Sequence, residues 1–235
     1  MKKTRKTLNT SIIVAILASL AIIVTQFNKI SPAYAGVPTE SHAANAMWIE
    51  NSTIELSTEN VSLGYRFNVT VWINLTVASA SWEFKMSYNK NHLTATRCGY
   101  TAGTKSQFFE NVSTLPLTPS FGSINATHSY VLHGETWGMM GPFREPGNGS
   151  LAWVEFQVMA VPAELQTFTL DICSFYPEDT YAQDPSQNKI PFTTCNNAVV
   201  IIPEFLEFMI LAVLMSLTLV AYALSTKLRS PKNNE

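Results

Sequence analysis

Apolar and polar residues alternate along positions 65–77: Phe67, Val69, Val71, Ile73 and Leu75 share one parity, Asn68, Thr70, Trp72, Asn74 and Thr76 the other. Strand side chains point to opposite faces in turn, so the pattern predicts a strand with one face in a core and one in solvent. The period returns at positions 81–88, with Trp82, Phe84, Met86 and Tyr88 inward. It returns again at 151–159, with Ala152, Val154, Phe156 and Val158 inward and Trp153 outward. Ile54 and Leu56 open the series, Phe168, Leu170 and Ile172 continue it, and the last strands are expected within 190–200. Positions 97–148 are richer in Gly, Ser, Thr and Pro and read as short strands in long loops. No helical period interrupts this middle segment. Short strands with frequent turns predict an all-β, antiparallel sandwich.

The two ends show another pattern. Lys2, Lys3, Arg5 and Lys6 precede an apolar run at 12–24, and Ala33-Tyr34-Ala35 supplies an A-x-A cleavage site. Residues 1–35 therefore read as a secretory signal, with a retained N-terminal anchor as the alternative. A linker at 36–46 leads to the ectodomain at 47–200. From Pro203 a helix is expected: proline suits its first position, Glu204 and Glu207 suit its positive end, and positions 208–224 carry no charge. A transmembrane helix over 201–226 and a cytoplasmic tail over 227–235, basic at Lys227, Arg229 and Lys232, set the orientation. The chain is expected to be a single-pass cell-membrane protein with its ectodomain outside.

Charge, sequons and cysteines sharpen that reading. Between Gly36 and Ile202 stand seven basic and fourteen acidic residues, a formal charge of −7, which argues against nucleic acid as a partner. Seven glycosylation acceptors, Asn51, Asn60, Asn68, Asn74, Asn111, Asn125 and Asn148, fit an exported glycoprotein. Asn68 and Asn74 fall on one strand face. The cysteines are Cys98, Cys173 and Cys195, an odd number that leaves either one internal bridge and a spare thiol or a bridge between chains. Cys173 with Cys195 is the favoured pair, since they flank one loop.

Catalytic patterns are missing: there is no G-x-S-x-G, no H-E-x-x-H and no Cys/His metal spacing, and the chain is read as a non-enzyme without a metal site. His128 and His133 are read as sharing a parity near Met139 and Met140, as a structural or solvated pair rather than a metal site. Glu178, Asp179 and Asp184 form the one acidic cluster. Calcium is conceivable there, but the regular spacing of a calcium loop is lacking, so hairpin carboxylates are the default. For binding, Trp72 and Trp153 are expected on outward strand faces and Trp137 in a loop over 133–144. Outward tryptophans suit sugar stacking, but packing under glycans, loops or other chain segments is the favoured reading. The loop 135–146, with Trp137, Met139, Met140 and Phe143, is the best contact surface the sequence offers.

Two stretches carry a resemblance. Trp82-Glu83-Phe84-Lys85-Met86-Ser87-Tyr88-Asn89 and Gly147-Asn148-Gly149-Ser150-Leu151-Ala152-Trp153-Val154-Glu155-Phe156-Gln157-Val158 resemble two strands of the cohesin domain, and Ile190-Pro191 resembles a late element of that family. The chain departs from the family at Asn89-Lys90, where Asp-Pro is usual. The resemblance implies a jelly-roll-like sandwich of the carbohydrate-binding-module superfamily that docks protein partners on one sheet face, a calcium-loaded dockerin in cellulosomes. It transfers no recognition residue. Separately, Pro203-Glu204-Phe205 before an apolar stretch and a basic tail resembles archaeal surface-protein sorting signals, which implies processing by a sortase-like enzyme. The expected role is a cell-surface module that binds a protein or another envelope component. The alternatives are a carbohydrate-binding module, with a polysaccharide partner held by Trp137 and Trp72 or Trp153, and a structural envelope subunit.

Overall fold

Alternation at positions 66–75 becomes the central strand of the molecule. The computed structural model describes residues 42–56, 62–138, 141–162 and 164–202. The expected signal, the C-terminal helix, Asn60, Met139 and Met140 lie outside the described residues. Among the described residues no helix is long and apolar enough to cross a membrane. The described residues form thirteen strands, in chain order: β1 (Ala46–Ile49), β2 (Thr53–Glu55), β3 (Arg66–Leu75), β4 (Ser81–Asn89), β5 (Leu93–Tyr100), β6 (Thr114–Pro116), β7 (Ser120–Ser123), β8 (His128–Trp137), β9 (Gly147–Val158), β10 (Gln166–Leu170), β11 (Tyr181–Gln183), β12 (Thr194–Asn196) and β13 (Ala198–Ile202). A short 3-10 turn spans Cys173–Phe175.

The strands form two layers. The first sheet has the order β12-β1-β3-β9-β5. The second has the order β11-β4-β8-β6, with β7 also paired to β8, and a three-stranded sheet β10-β13-β2 completes the sandwich. Pairing is antiparallel except where the chain's first strands meet its last: β1 runs parallel to β12, and β2 parallel to β13. Phe67, Val69, Val71, Ile73 and Leu75 of β3 face Trp82, Phe84, Met86 and Tyr88 of β4 in one buried core. Tyr88 meets Phe156 edge-on at 5.2 Å between ring centroids, which fixes how the layers approach. Each large side chain buried this way contributes about 1.5–3 kcal/mol. Gly149 is needed at the end of β9, because a Cβ there would stand 2.8 Å from the Phe108 Cα.

Positions 97–148 differ from their loop-rich expectation, since they hold the end of β5 and all ten residues of β8. The inward row of β8 reads Ser129, Val131, His133, Glu135 and Trp137, so polar residues at buried positions hid the alternation. In β5 a register shift between Ala95 and Arg97 breaks the period. Trp137 accordingly closes β8 rather than sitting in a loop, and Glu135 is buried in the strand. His128 and His133 do not share a face either: five residues apart on one strand, they point to opposite sides.

Candidate docking surface

The outer face of the first sheet carries the row Asn68, Thr70, Trp72 and Asn74 of β3 and, opposite it on β9, Glu155, Trp153, Ser150 and Asn148. Three sequons gather here, and Asn74 and Asn148 are direct cross-strand partners. Trp72 packs under another segment, as one of the two readings of outward tryptophans has it, and is not available for sugar stacking. It is 3% exposed, because Trp48 of β1 pairs with it across the strands at 6.3 Å and the His42 ring lies 4.4 Å from Trp48. Trp153 is half-buried and lies on Gly99, where an added Cβ would meet its ring at 3.0 Å. Below it the Glu155 carboxylate is buried and accepts from Arg97 Nη2 at 2.8 Å, Arg66 Nη1 at 3.2 Å and the Thr96 hydroxyl at 2.5 Å. The Arg97 hydrogen bond is the main reason this carboxyl ionises below the usual carboxylate range.

The second sheet presents another kind of face. Along β4 the outward residues Glu83, Lys85 and Ser87 stand opposite Gly134, Leu132 and Tyr130 of β8, and Tyr181 of β11 stands opposite Glu83. The Lys85 ammonium is 2.7 Å from Asp179 and lies 4.7 Å from the Tyr130 ring centroid and 4.8 Å from that of Phe175. Lys189 lies 4.6 Å over the Tyr181 ring. Burial, with Asp179 second, pushes the Glu83 carboxyl up; burial, with Glu83 second, pushes the Tyr181 phenol up. Leu115 and Leu117, 56% and 42% exposed, extend the apolar surface along the β6 edge, while Phe121, opposite Val131, lies on the other face. No sequon lies on β4, β8 or β11; Asn125, in the β7–β8 turn, spends its side-chain oxygen on Thr127 N–H and His128 N–H. Fixed rings around a cation, partly desolvated charges and exposed leucines suit a protein surface with both apolar and ionic groups.

Beneath this second face, His133 is 2% exposed, tilted against the Tyr100 ring at 4.4 Å, with no hydrogen-bond partner for either ring nitrogen. Burial pushes its pKa down to about 4, so the imidazole is neutral. The buried Glu135 carboxylate accepts from Ser106 N–H at 3.0 Å, Thr114 Oγ1 at 2.6 Å and Trp82 Nε1 at 3.3 Å. Sequence reasoning gave His133 a structural or solvated role and put Glu135 in a loop, but placed neither in the core, because an inward polar residue breaks the apolar signal.

The other candidate residues are scattered over the molecule. Trp137 packs on Phe143 at 4.3 Å, and its Nε1 is buried without a partner. Phe143 helps wall a cavity of about 180 Å³ with Gln107, Phe108, Asn111 and Arg144. Asn51 and Asn111 are exposed, Asn51 with φ of 63° in a turn where asparagine is favoured. Cys173 and Cys195 are joined by a disulfide with Cα atoms 5.5 Å apart, and Cys98 is free. The acidic cluster is dispersed: Asp179 pairs with Lys85, while Asp184 accepts from Ser186 N–H and Asn188 N–H. Among the described residues no three His, Cys, Asp or Glu side chains gather as a metal site.

No protein-family model and no curated protein matches the sequence. Among solved structures, the chain is similar to cohesin domains. One is the sixth cohesin of scaffoldin B from Acetivibrio cellulolyticus, solved with a Cel5 dockerin: 14% identity, 67% of this chain and 98% of that one covered, TM-score 0.46. Another is a non-cellulosomal cohesin from the hyperthermophilic archaeon Archaeoglobus fulgidus, at 16% identity, 71% and 96% coverage and a TM-score of 0.42. A third is a cohesin from a Clostridium thermocellum cohesin–dockerin complex, at 7% identity, 70% and 99% coverage and a TM-score of 0.47. At these identities and TM-scores the likeness extends to no individual residue.

Proposed function

We propose that this chain is a non-catalytic protein-docking module, held outside the cell by its C-terminal apolar segment, and that its partner seats on the outer face of the second sheet. The observation that carries the reading is the segregation of the two faces. Asn68, Asn74 and Asn148 would crowd the first face with sugar, whereas Lys85, Tyr130, Leu132 and Tyr181 form a sequon-free surface on the second. The apolar positions 208–224 and the basic residues behind them support the membrane tether. A sugar-binding role built on Trp72 loses its ring, which Trp48 covers, and Trp137 and Trp153 belong to different sheets.

The test places a photo-crosslinking residue at Leu132 or at Thr70 in the chain displayed on intact cells. A discrete adduct with a second protein from position 132, and none from position 70, is the expected result. Adducts only with further copies of the chain would instead make it a structural envelope subunit, and adducts confined to position 70 would reverse the assignment of faces.

A further inference from the structure

The two most exposed large apolar side chains among the described residues are Leu165 at 63% and Leu63 at 62%, and Met159 is exposed at 46%. All three lie at one end of the sandwich. Gly64 N–H donates to Val158 O at 2.8 Å, and Met159 N–H donates to His92 O at 2.7 Å. The His92 ring stacks on Phe168 at 4.4 Å, and Gln166, next to Leu165, is the cross-strand partner of Ile202. Leu56 N–H donates to Ile201 O at 3.0 Å, which brings the chain of β2 to the same end. The exposed leucines and methionine thus lie at the end of the sandwich from which the chain leaves the fold after Ile202.

Little chain connects that point to the apolar segment. Pro203-Glu204-Phe205-Leu206-Glu207 is all that separates Ile202 from the uncharged positions 208–224. The six steps from 202 to 208 reach at most about 20 Å when extended, and about 9 Å when helical. The headgroup layer on one side of a bilayer is itself about 5–8 Å deep. A domain tethered in this way keeps its exit end at the lipid surface. The bases Arg66 and Lys90 at this end are engaged within the protein, Arg66 with Glu155 and Lys90 with Ser123 Oγ and Asn125 O.

We infer that this end of the sandwich is a lipid-contact rim in which Leu63, Met159 and Leu165 rest among the headgroups of the bilayer that holds the C-terminal segment. The inference rests on the membrane-tethered reading above. Apolar burial is the driving term, so neutral phosphatidylcholine is sufficient as the lipid. The rim fixes the height and tilt of the domain and leaves the outer face of the second sheet standing roughly along the membrane normal, open to the side.

The experiment uses the full-length chain in a Cys98→Ala background, with Leu63→Cys, Leu165→Cys or Val77→Cys labelled with an environment-sensitive fluorophore. Val77, 42% exposed, comes just after β3 at the opposite end of the sandwich. Each protein is placed in phosphatidylcholine vesicles containing brominated lipid and then washed in alkaline carbonate. Retention with about threefold or greater quenching at 63 and 165 than at 77 is expected for side chains within 5–10 Å of the headgroup boundary. Retention with equal quenching at all three positions overturns the rim and leaves the tether intact. Loss of the protein in the wash overturns the tether, and the rim with it.

Discussion

The two outer faces of this sandwich are built from the same strand physics and end up with opposite properties. On the first sheet the outward row is closed: Trp72 lies beneath Trp48, Trp153 is laid on Gly99, and Glu155 is held by two arginines and a threonine. On the second sheet the outward row is open, with Lys85 held between two rings, Leu132 beside it and Leu115 exposed further along the edge. A covered, sequon-bearing face keeps its packing when it is coated. A half-desolvated, sequon-free one gains by being covered. Burial, more than composition, separates a face already covered by its own chain from one that is not.

The largest test of this contrast is at the open face. Tyr130→Ala with Leu132→Asp should weaken capture of the surface partner by about 10–100-fold, as loss of central contacts does, while Asn68→Gln with Asn74→Gln leaves it unchanged; titration of the crosslinked adduct reads both. Next comes the tie between the faces. The disulfide links Cys195 on β12, at the edge of the first sheet, to the turn that leads to Phe175 and Asp179 at the second face. Replacing both cysteines by serine should cost about 3 kcal/mol of stability, read from the denaturant midpoint, and loosen the clasp on Lys85.

Acid should then separate the two layers. His133 ionises near 4 when folded and near 6.5 when unfolded, so its contribution is complete above about 6.5 and drains away as pH falls toward 4, at up to about 1.4 kcal/mol per pH unit. A His133→Phe variant should unfold with a flatter pH dependence across that window. Glu155 acts lower on the scale. Its folded carboxyl is depressed, so its support is complete above about 4.5 and disappears as pH drops through the folded value. Because Arg66 and Arg97 are themselves partly exposed, Glu155→Gln should cost only about 1 kcal/mol at neutral pH. Its difference from the parent should vanish in strong acid.

Strands β3, β4 and β9 were legible because their buried rows are continuously apolar, and the bridged pair Cys173 and Cys195 was within reach because both flank one loop. β8 was not, since His133 and Glu135 occupy core positions where alternation demands apolar residues. Trp72 was placed correctly by parity, and the reading that outward tryptophans pack under other segments holds there. Parity assigns a face, but only the pairing of β1 with β3 reveals that Trp48 covers it. The open face escaped notice for a related reason: Lys85, Tyr130, Phe175 and Asp179 are brought together across separate stretches of chain.

The parallel pairing of β1 with β12 and of β2 with β13 has a mechanical meaning. The chain enters at the start of β1 and departs from the finish of β13, at opposite ends of the two zipped pairs. Traction between the termini therefore drags these strands lengthwise past one another and must break their ladder bonds together, not peel them singly. A particle gripping the outermost end of such a molecule would be resisted by its first and last strands in concert.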